Sequence, residues 1–165
     1  MSLTTAQTPA LAIARKETSN EYLKAIAVVR KLFEAVAHRD PTGVFSAYHP
    51  DIVISEAPSL PYGGEYRGRE GAIRHAEGFR STWDRYQSEA SRNLEPEFLA
   101  LGDRVIVLWR FRAQRQARDS IDLPVVSIYR LREGSIIESR MFHFDTSALL
   151  QFLENAGTDQ AADPR

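Results

Sequence analysis

Apolar residues recur at Tyr22, Ile26, Val29, Phe33 and Val36, at alternating steps of four and three, which predicts a helix with one buried stripe. Thr18-Ser19-Asn20-Glu21 ahead of it has the spacing of a capping box, in which a hydroxyl and a carboxylate satisfy the free amides of a first turn. The helix is expected to stop near His38-Arg39. Asp40-Pro41 opens a second helix, with a capping carboxylate followed by proline at the first helical position. Val44, Phe45 and Tyr48 form its apolar side, and His49-Pro50 ends it. Ile52-Val53-Ile54 is a β-branched strand running into Glu56. A loop rich in Pro, Gly and Tyr follows, from Pro58 to Gly68, and then a third helix with Ile73, Ala76, Phe79 and Trp83 on one face.

From about Tyr86 the periodicity changes to that of strands. Runs near Glu97–Leu101 and Arg104–Arg112 are joined at Gly102-Asp103, and runs near Leu123–Leu131 and Ser135–Phe144 at Glu133-Gly134. Asp145-Thr146 caps a last helix, Ser147–Ala156, closed by Gly157. Helices first and antiparallel strands afterwards predict an α+β fold, with a domain over 18–157 between mobile tails at 1–17 and 158–165.

Composition narrows the function. At 165 residues and 43% hydrophobic content the chain can bury one sizeable core. A net charge of -1 gives no electrostatic reason to expect nucleic acid or an anionic membrane as partner. The absence of Cys excludes a disulfide framework, a thiol nucleophile and cysteine-based metal sites, and fits a cytoplasmic setting. No apolar run is long enough to span a bilayer, and the first residues lack the basic region of a signal peptide. His38, His49, His75 and His143 are scattered without metal-ligand spacing, so neither a metal nor a cofactor is expected.

The order of elements, the segment Leu60-Pro61-Tyr62-Gly63-Gly64-Glu65-Tyr66-Arg67-Gly68-Arg69-Glu70, and Glu133–Glu138 before Phe142-His143-Phe144-Asp145 resemble SnoaL-like proteins of the nuclear transport factor 2-like superfamily. The resemblance covers roughly residues 20–157. It implies a cone-shaped roll, in which a curved antiparallel sheet wraps N-terminal helices around a small apolar pocket and a short C-terminal helix follows. The superfamily includes isomerases, polyketide cyclases, epoxide hydrolases and binding proteins, so the fold does not settle the reaction.

Strand alternation then sorts the side chains. Met141, His143 and Asp145 share one face, which the resemblance turns toward the pocket. Val107, Trp109, Phe111, Ser127 and Tyr129 join them as pocket lining. The opposite face carries Arg110, Arg112, Arg130, Arg140, Ile128, Phe142 and Phe144, a mixture of aromatic and Arg anchors that predicts a homodimer interface. Nucleic acid is the rival partner for these arginines, weakened by the balanced charge and the lack of an RNA-binding motif.

Asp145 has two readings. It is an acid/base whose carboxyl the apolar cavity tunes toward neutrality, or a plain helix cap before Thr-Ser-Ala-Leu-Leu. His143 is its partner in proton transfer or a packed core histidine. Glu56 falls where ketosteroid isomerase has its catalytic base, but that enzyme's oxyanion-hole donors fall on Leu32 and Ser127, so steroid isomerase chemistry is not implied. The Asp–Arg–Asp set of limonene epoxide hydrolase likewise meets Val107 and Trp109 on the middle strand. Tyr62 and Tyr66 flank two glycines and read either as a lid bearing hydroxyls or as a packed turn. The leading expectation is acid–base chemistry without a cofactor on a small hydrophobic carbonyl compound of polyketide, terpenoid or steroid type. A ligand-binding domain and an interaction module are its rivals.

Overall fold

The computed structural model describes residues 9–116 and 119–161, with side chains over 19–115 and 119–155. Helix α1 spans Pro9–Ala37 and a short α2 spans Pro41–Ser46; strand β1 (Tyr48–Glu56) follows. Strand β2 (Gly64–Arg67) leads directly into α3 (Gly68–Trp83). Two single 3-10 turns then precede β3 (Glu97–Leu101), β4 (Arg104–Gln116), β5 (Asp119–Arg132), β6 (Ser135–His143) and α4 (Thr146–Ala161).

The six strands form one sheet in the order β2-β1-β6-β5-β4-β3. Neighbours in β3–β6 pair antiparallel, with turns at Gly102-Asp103 and Glu133-Gly134 joining the first and last pairs. The pairing of β1 with β6 is parallel, so the sheet is mixed rather than purely antiparallel. A parallel pair needs a long crossover, and here the connection carries β2, α3 and strands β3 to β5.

Several boundaries differ from the sequence reading. Helix α1 begins at Pro9, so Thr18–Glu21 lies inside it instead of capping it. Residues 9–17 are therefore helical, while residues 1–8 and 162–165 lie outside the described residues. Asp40 precedes α2 with Pro41 at its start, but its side chain makes no capping hydrogen bond. Tyr48, His49 and Pro50 belong to β1; Pro50 sits where the register with β6 shifts between Tyr48 and Val53, a bulge that tolerates a missing donor. Part of the loop after Pro58 pairs as β2 against the end of β1, with Glu56 opposite Gly64. Helix α4 runs through Gly157.

The core lies on the concave side of the sheet. Val105, Val107, Trp109, Phe111 and Ala113 of β4 alternate inward, as do Val125, Ser127 and Tyr129 of β5. Helix α1 presses Phe33 edge-on against Phe98, Trp109 and Tyr129, at 5.7, 5.9 and 6.1 Å between ring centroids. A second aromatic cluster closes the other side. Trp83 meets Phe111 at 4.7 Å, stacks on Phe152 of α4 at 6.1 Å and donates its indole N–H to the Tyr62 hydroxyl at 3.0 Å. No described helix is long and apolar enough to cross a membrane.

Trp83 thus ties α3, β4 and α4 together. Trp83→Ala is expected to cost about 3–5 kcal/mol, because the cavity it leaves is walled by rigid rings. Thermal and urea denaturation measure this, and a loss below about 1 kcal/mol would show that the cluster does not anchor the fold.

Candidate active site

Strand β1 ends by pointing Glu56 inward, two residues beyond Ile54, on the face that Ile52 and Ile54 bury. Its carboxylate is 1% exposed. A lone buried carboxylate costs several kcal/mol, so partners must meet it. His75, from the inner face of α3, approaches one oxygen, with its Nε2 donating to Glu56 Oε1 at 3.0 Å. His143, the last residue of β6, approaches the other, with Nε2 at 3.5 Å from Oε2, long for a hydrogen bond. The two imidazole side chains are 12% and 2% exposed, respectively.

Burial alone would raise the carboxyl pKa of Glu56, but His143 and His75 together outweigh it and hold the group below its ordinary value of 4.5. The surrounding phenols shift the other way. Burial foremost, with the Glu56 charge adding to it, keeps Tyr48, Tyr62 and Tyr129 neutral far above their usual range. The centre is therefore one buried negative charge between two imidazoles, surrounded by neutral hydroxyls. Neither ring nitrogen of His143 has a hydrogen-bond partner among the described residues, although both are buried. Among the described residues, no group of three His, Cys, Asp or Glu is arranged to hold a metal ion.

The residues singled out from the sequence divide into three groups. Glu56 and His143 come together. Asp145 does not join them. The strand ends at His143, so alternation no longer governs Asp145, and its exposed carboxylate accepts the amide of Ala148 at 2.9 Å as the cap of α4.

The expected lining residues do face inward. Trp109, Val125 and His143 form one cross-strand row, and Phe111 places its ring edge 6.2 Å from that of His143. Met141 is partly buried against the core. The Trp109 indole donates to Ser127 Oγ at 2.8 Å, and Tyr129 is buried on the same face. Tyr62 and Tyr66 spend their polar groups on the protein: the Tyr62 hydroxyl accepts from Trp83, and the Tyr66 hydroxyl donates to the Tyr62 carbonyl at 2.9 Å.

The two principal surface grooves lie away from these groups. A groove of about 110 Å³ lies between α2, β1 and α3, lined by Phe45, Tyr48, Ile52 and Arg69 among others, and a second of about 270 Å³ adjoins it. Neither is lined by Glu56, His75 or His143.

His75 is the member that sequence reasoning passed over. Its signal was its place four residues before Phe79, on the same helical stripe as Trp83, where a polar residue calls for a buried partner.

A curved mixed sheet packed on N-terminal helices, with a short C-terminal helix, is the fold of the nuclear transport factor 2-like class. The sequence matches the model of the SnoaL-like domain over residues 29–139, more than half of its length, and the chain belongs to that family. No curated protein matches it. Among solved structures, TerC co-crystallized with polyporic acid aligns with a TM-score of 0.69 and 21% identity, over 79% of this chain and 98% of TerC. An NTF2-like protein of unknown function from Burkholderia pseudomallei aligns with a TM-score of 0.67 and 25% identity, over 79% and 97% of the two chains. A candidate polyketide cyclase from Sinorhizobium meliloti aligns with a TM-score of 0.55 and 18% identity, over 70% and 94%.

The depressed titration of Glu56 carries a sign. An acid whose folded-state pKa lies below its unfolded value stabilises the fold above that unfolded value, and the contribution vanishes as pH falls through the folded one. The stability advantage of the wild type over Glu56→Gln is therefore expected to shrink between about pH 6 and pH 3 in urea denaturation. An advantage that stays constant across that range would show that the carboxylate is not ionised in the fold.

Proposed function

We propose that the protein is a SnoaL-like enzyme that moves a proton on a small hydrophobic carbonyl compound without a cofactor, with His143 as the acid/base and Glu56 as the group that orients it. The observation that carries this reading is the free Nδ1 of His143, buried and unpartnered, while Nε2 of the same ring faces the Glu56 carboxylate. A carboxylate on one imidazole nitrogen raises the basicity of the other, which suits proton abstraction near neutral pH. Nδ1 takes a proton from the carbon next to the carbonyl, the C–H electron pair moves into the carbonyl to form an enolate, and Glu56 balances the imidazolium. Delivery of that proton to another atom of the product returns His143 to neutrality. Tyr48 and Tyr129, held neutral by burial and the charge of Glu56, are the hydroxyl donors assigned to the enolate oxygen.

Two considerations bear on the substrate. Trp109, Phe111 and Met141, on the same face of the sheet as His143, are apolar in bulk, matching an uncharged body. TerC, of the same fold, was crystallized with polyporic acid, which lends weight to a cyclic carbonyl compound as the ligand class here. With His143 only 2% exposed, the substrate must displace neighbouring side chains to reach it, so access is gated.

Deuterium uptake at the carbon between the carbonyls of a hydrophobic β-diketone in D₂O, followed by NMR, tests the chemistry. His143→Asn is expected to lower the catalysed rate by about 10²-fold or more, the scale of a lost general base. Asp145→Asn, which preserves the cap, is expected to leave it within about twofold. Equal rates in wild type and His143→Asn would overturn the assignment and favour a binding domain.

The convex face supports an assembly reading. In register, Glu97, Leu108, Val126 and Phe142 form one row across the outer sheet, and Leu99, Ile106, Ile128 and Arg140 the next. Phe142 is 52% exposed and Phe144 82%, an unusual amount of aromatic surface for an isolated domain. Asp122 pairs with Arg110 at 2.7 Å and Arg112 at 3.2 Å, and Glu138 pairs with Arg130, so these arginines are largely neutralised and less available to phosphates. A second copy of the chain is the proposed occupant. Phe142→Asp is expected to convert a dimer to a monomer in analytical ultracentrifugation with the fold intact; a monomeric wild type would overturn the proposal.

A further inference from the structure

The Tyr62–Tyr66 segment is the most distinctive stretch of the chain, and the reaction above makes no direct use of it. Its geometry is nonetheless tightly fixed. A Cβ on Gly63 would lie 2.2 Å from the Ala57 carbonyl oxygen, so only glycine fits there. Gly78 of α3 would bring a Cβ to 3.1 Å from that of Tyr62, and Gly71 to 2.9 Å from the Tyr66 backbone. These close approaches seat both tyrosines against α3. Their rings then stand edge-on to one side chain, His75, at 6.2 Å from Tyr62 and 5.2 Å from Tyr66. The hydroxyls are spent holding the clamp together, Tyr66 to the Tyr62 carbonyl and Tyr62 to the Trp83 indole.

We propose that the Tyr62–Tyr66 clamp and His75 form a positioning assembly that sets the tautomer of His143, protonating Nε2 and leaving Nδ1 bare. The inference rests on the acid–base reading of His143 and assigns how that reading is enforced. His75 donates to Oε1 of Glu56 and so helps keep the buried carboxylate ionised and in one orientation, with Oε2 aimed at His143. An ionised oxygen is an acceptor only, and the imidazole meets it with an N–H rather than a lone pair. His143 is thereby held as its Nε2–H form. Removal of His75 strips the carboxylate of one of its two imidazole partners while leaving it buried, which favours its protonation. The neutral acid then has an O–H to give, His143 Nε2 accepts it, and the ring proton moves to Nδ1. The nitrogen assigned to catalysis is no longer a base. Tyr62 and Tyr66 are thus positioning residues, acting through His75 and not on the substrate.

The test needs no substrate. In ¹⁵N-labelled wild-type protein near neutral pH, long-range correlation of the ring carbon-bound protons with the imidazole nitrogens is expected to show a protonated Nε2 and a bare Nδ1 for His143. His75→Asn, too short to reach Glu56 Oε1, is expected to reverse the pattern or to populate both forms. His75→Gln, which places an amide N–H at nearly the same reach, is expected to restore the wild-type pattern. Tyr66→Leu, which removes half of the clamp and keeps His75, is expected to move the population in the same direction by a smaller amount and serves if His75→Asn does not fold. An unchanged His143 pattern in a folded His75→Asn or Tyr66→Leu variant would overturn the assembly, as would a bare Nε2 in the wild type. The catalytic reading fails separately, if His143→Asn retains deuterium exchange.

Discussion

The burial of one carboxylate organises this molecule. Glu56 sits at the end of a strand whose inward residues are otherwise apolar, almost fully screened from solvent. An ionised carboxylate there is tolerable only with donors on its oxygens, and the fold brings one imidazole from α3 and another from β6. The surrounding aromatic packing serves that meeting. Trp83 and Phe111 hold α3 against β4, the tyrosine pair holds His75, and the Trp109–Val125–His143 row holds the end of β6. The most specific contacts of the core thus converge on the least favourable group within it.

This arrangement separates support from reactivity. Both oxygens of Glu56 face histidines, so the carboxylate is poorly placed to touch a substrate itself. His143 has a nitrogen to spare, whereas His75 is enclosed by two rings. Fold alone does not define chemistry, and the relatives of this chain include proteins of unknown function and one described as a candidate cyclase. The chemistry proposed for this chain rests on the particular side chains at the end of β1, in the middle of α3 and at the end of β6.

Much of the architecture was legible because periodicity records which face is buried. The strand pairs, their turns at Gly102-Asp103 and Glu133-Gly134, and the inward set of Trp109, Phe111, Ser127 and Tyr129 all follow from period-two alternation. The parallel pairing of β1 with β6 was not legible, since nothing local to either strand encodes a partner about eighty residues away. The helix ends were misread for a different reason. Thr18–Glu21 and Gly157 carry terminal signals worth only about 1 kcal/mol, which a continuing helix overrides. At the candidate site, resemblance and strand alternation turned Asp145 inward, but the strand ends at His143 and the other reading, a helix cap, is the one the structure displays. His75 was passed over because its spacing from the other histidines was weighed instead of its position on the buried stripe of its own helix.

The parallel contact between β1 and β6 has a consequence for the order in which this chain becomes itself. Glu56 leaves the ribosome long before His143, and almost every other pairing in the sheet is between neighbours in sequence. Closing a loop of that span is among the slowest steps available to a small domain, because its entropy is lost before the contact rewards it. Until β6 docks, the carboxylate has at most His75 beside it and remains an acidic group at an open strand edge. The last strand to be synthesised therefore also completes the electrostatics of the first, and a nascent or truncated chain without β6 has neither a sealed core nor a second imidazole beside Glu56.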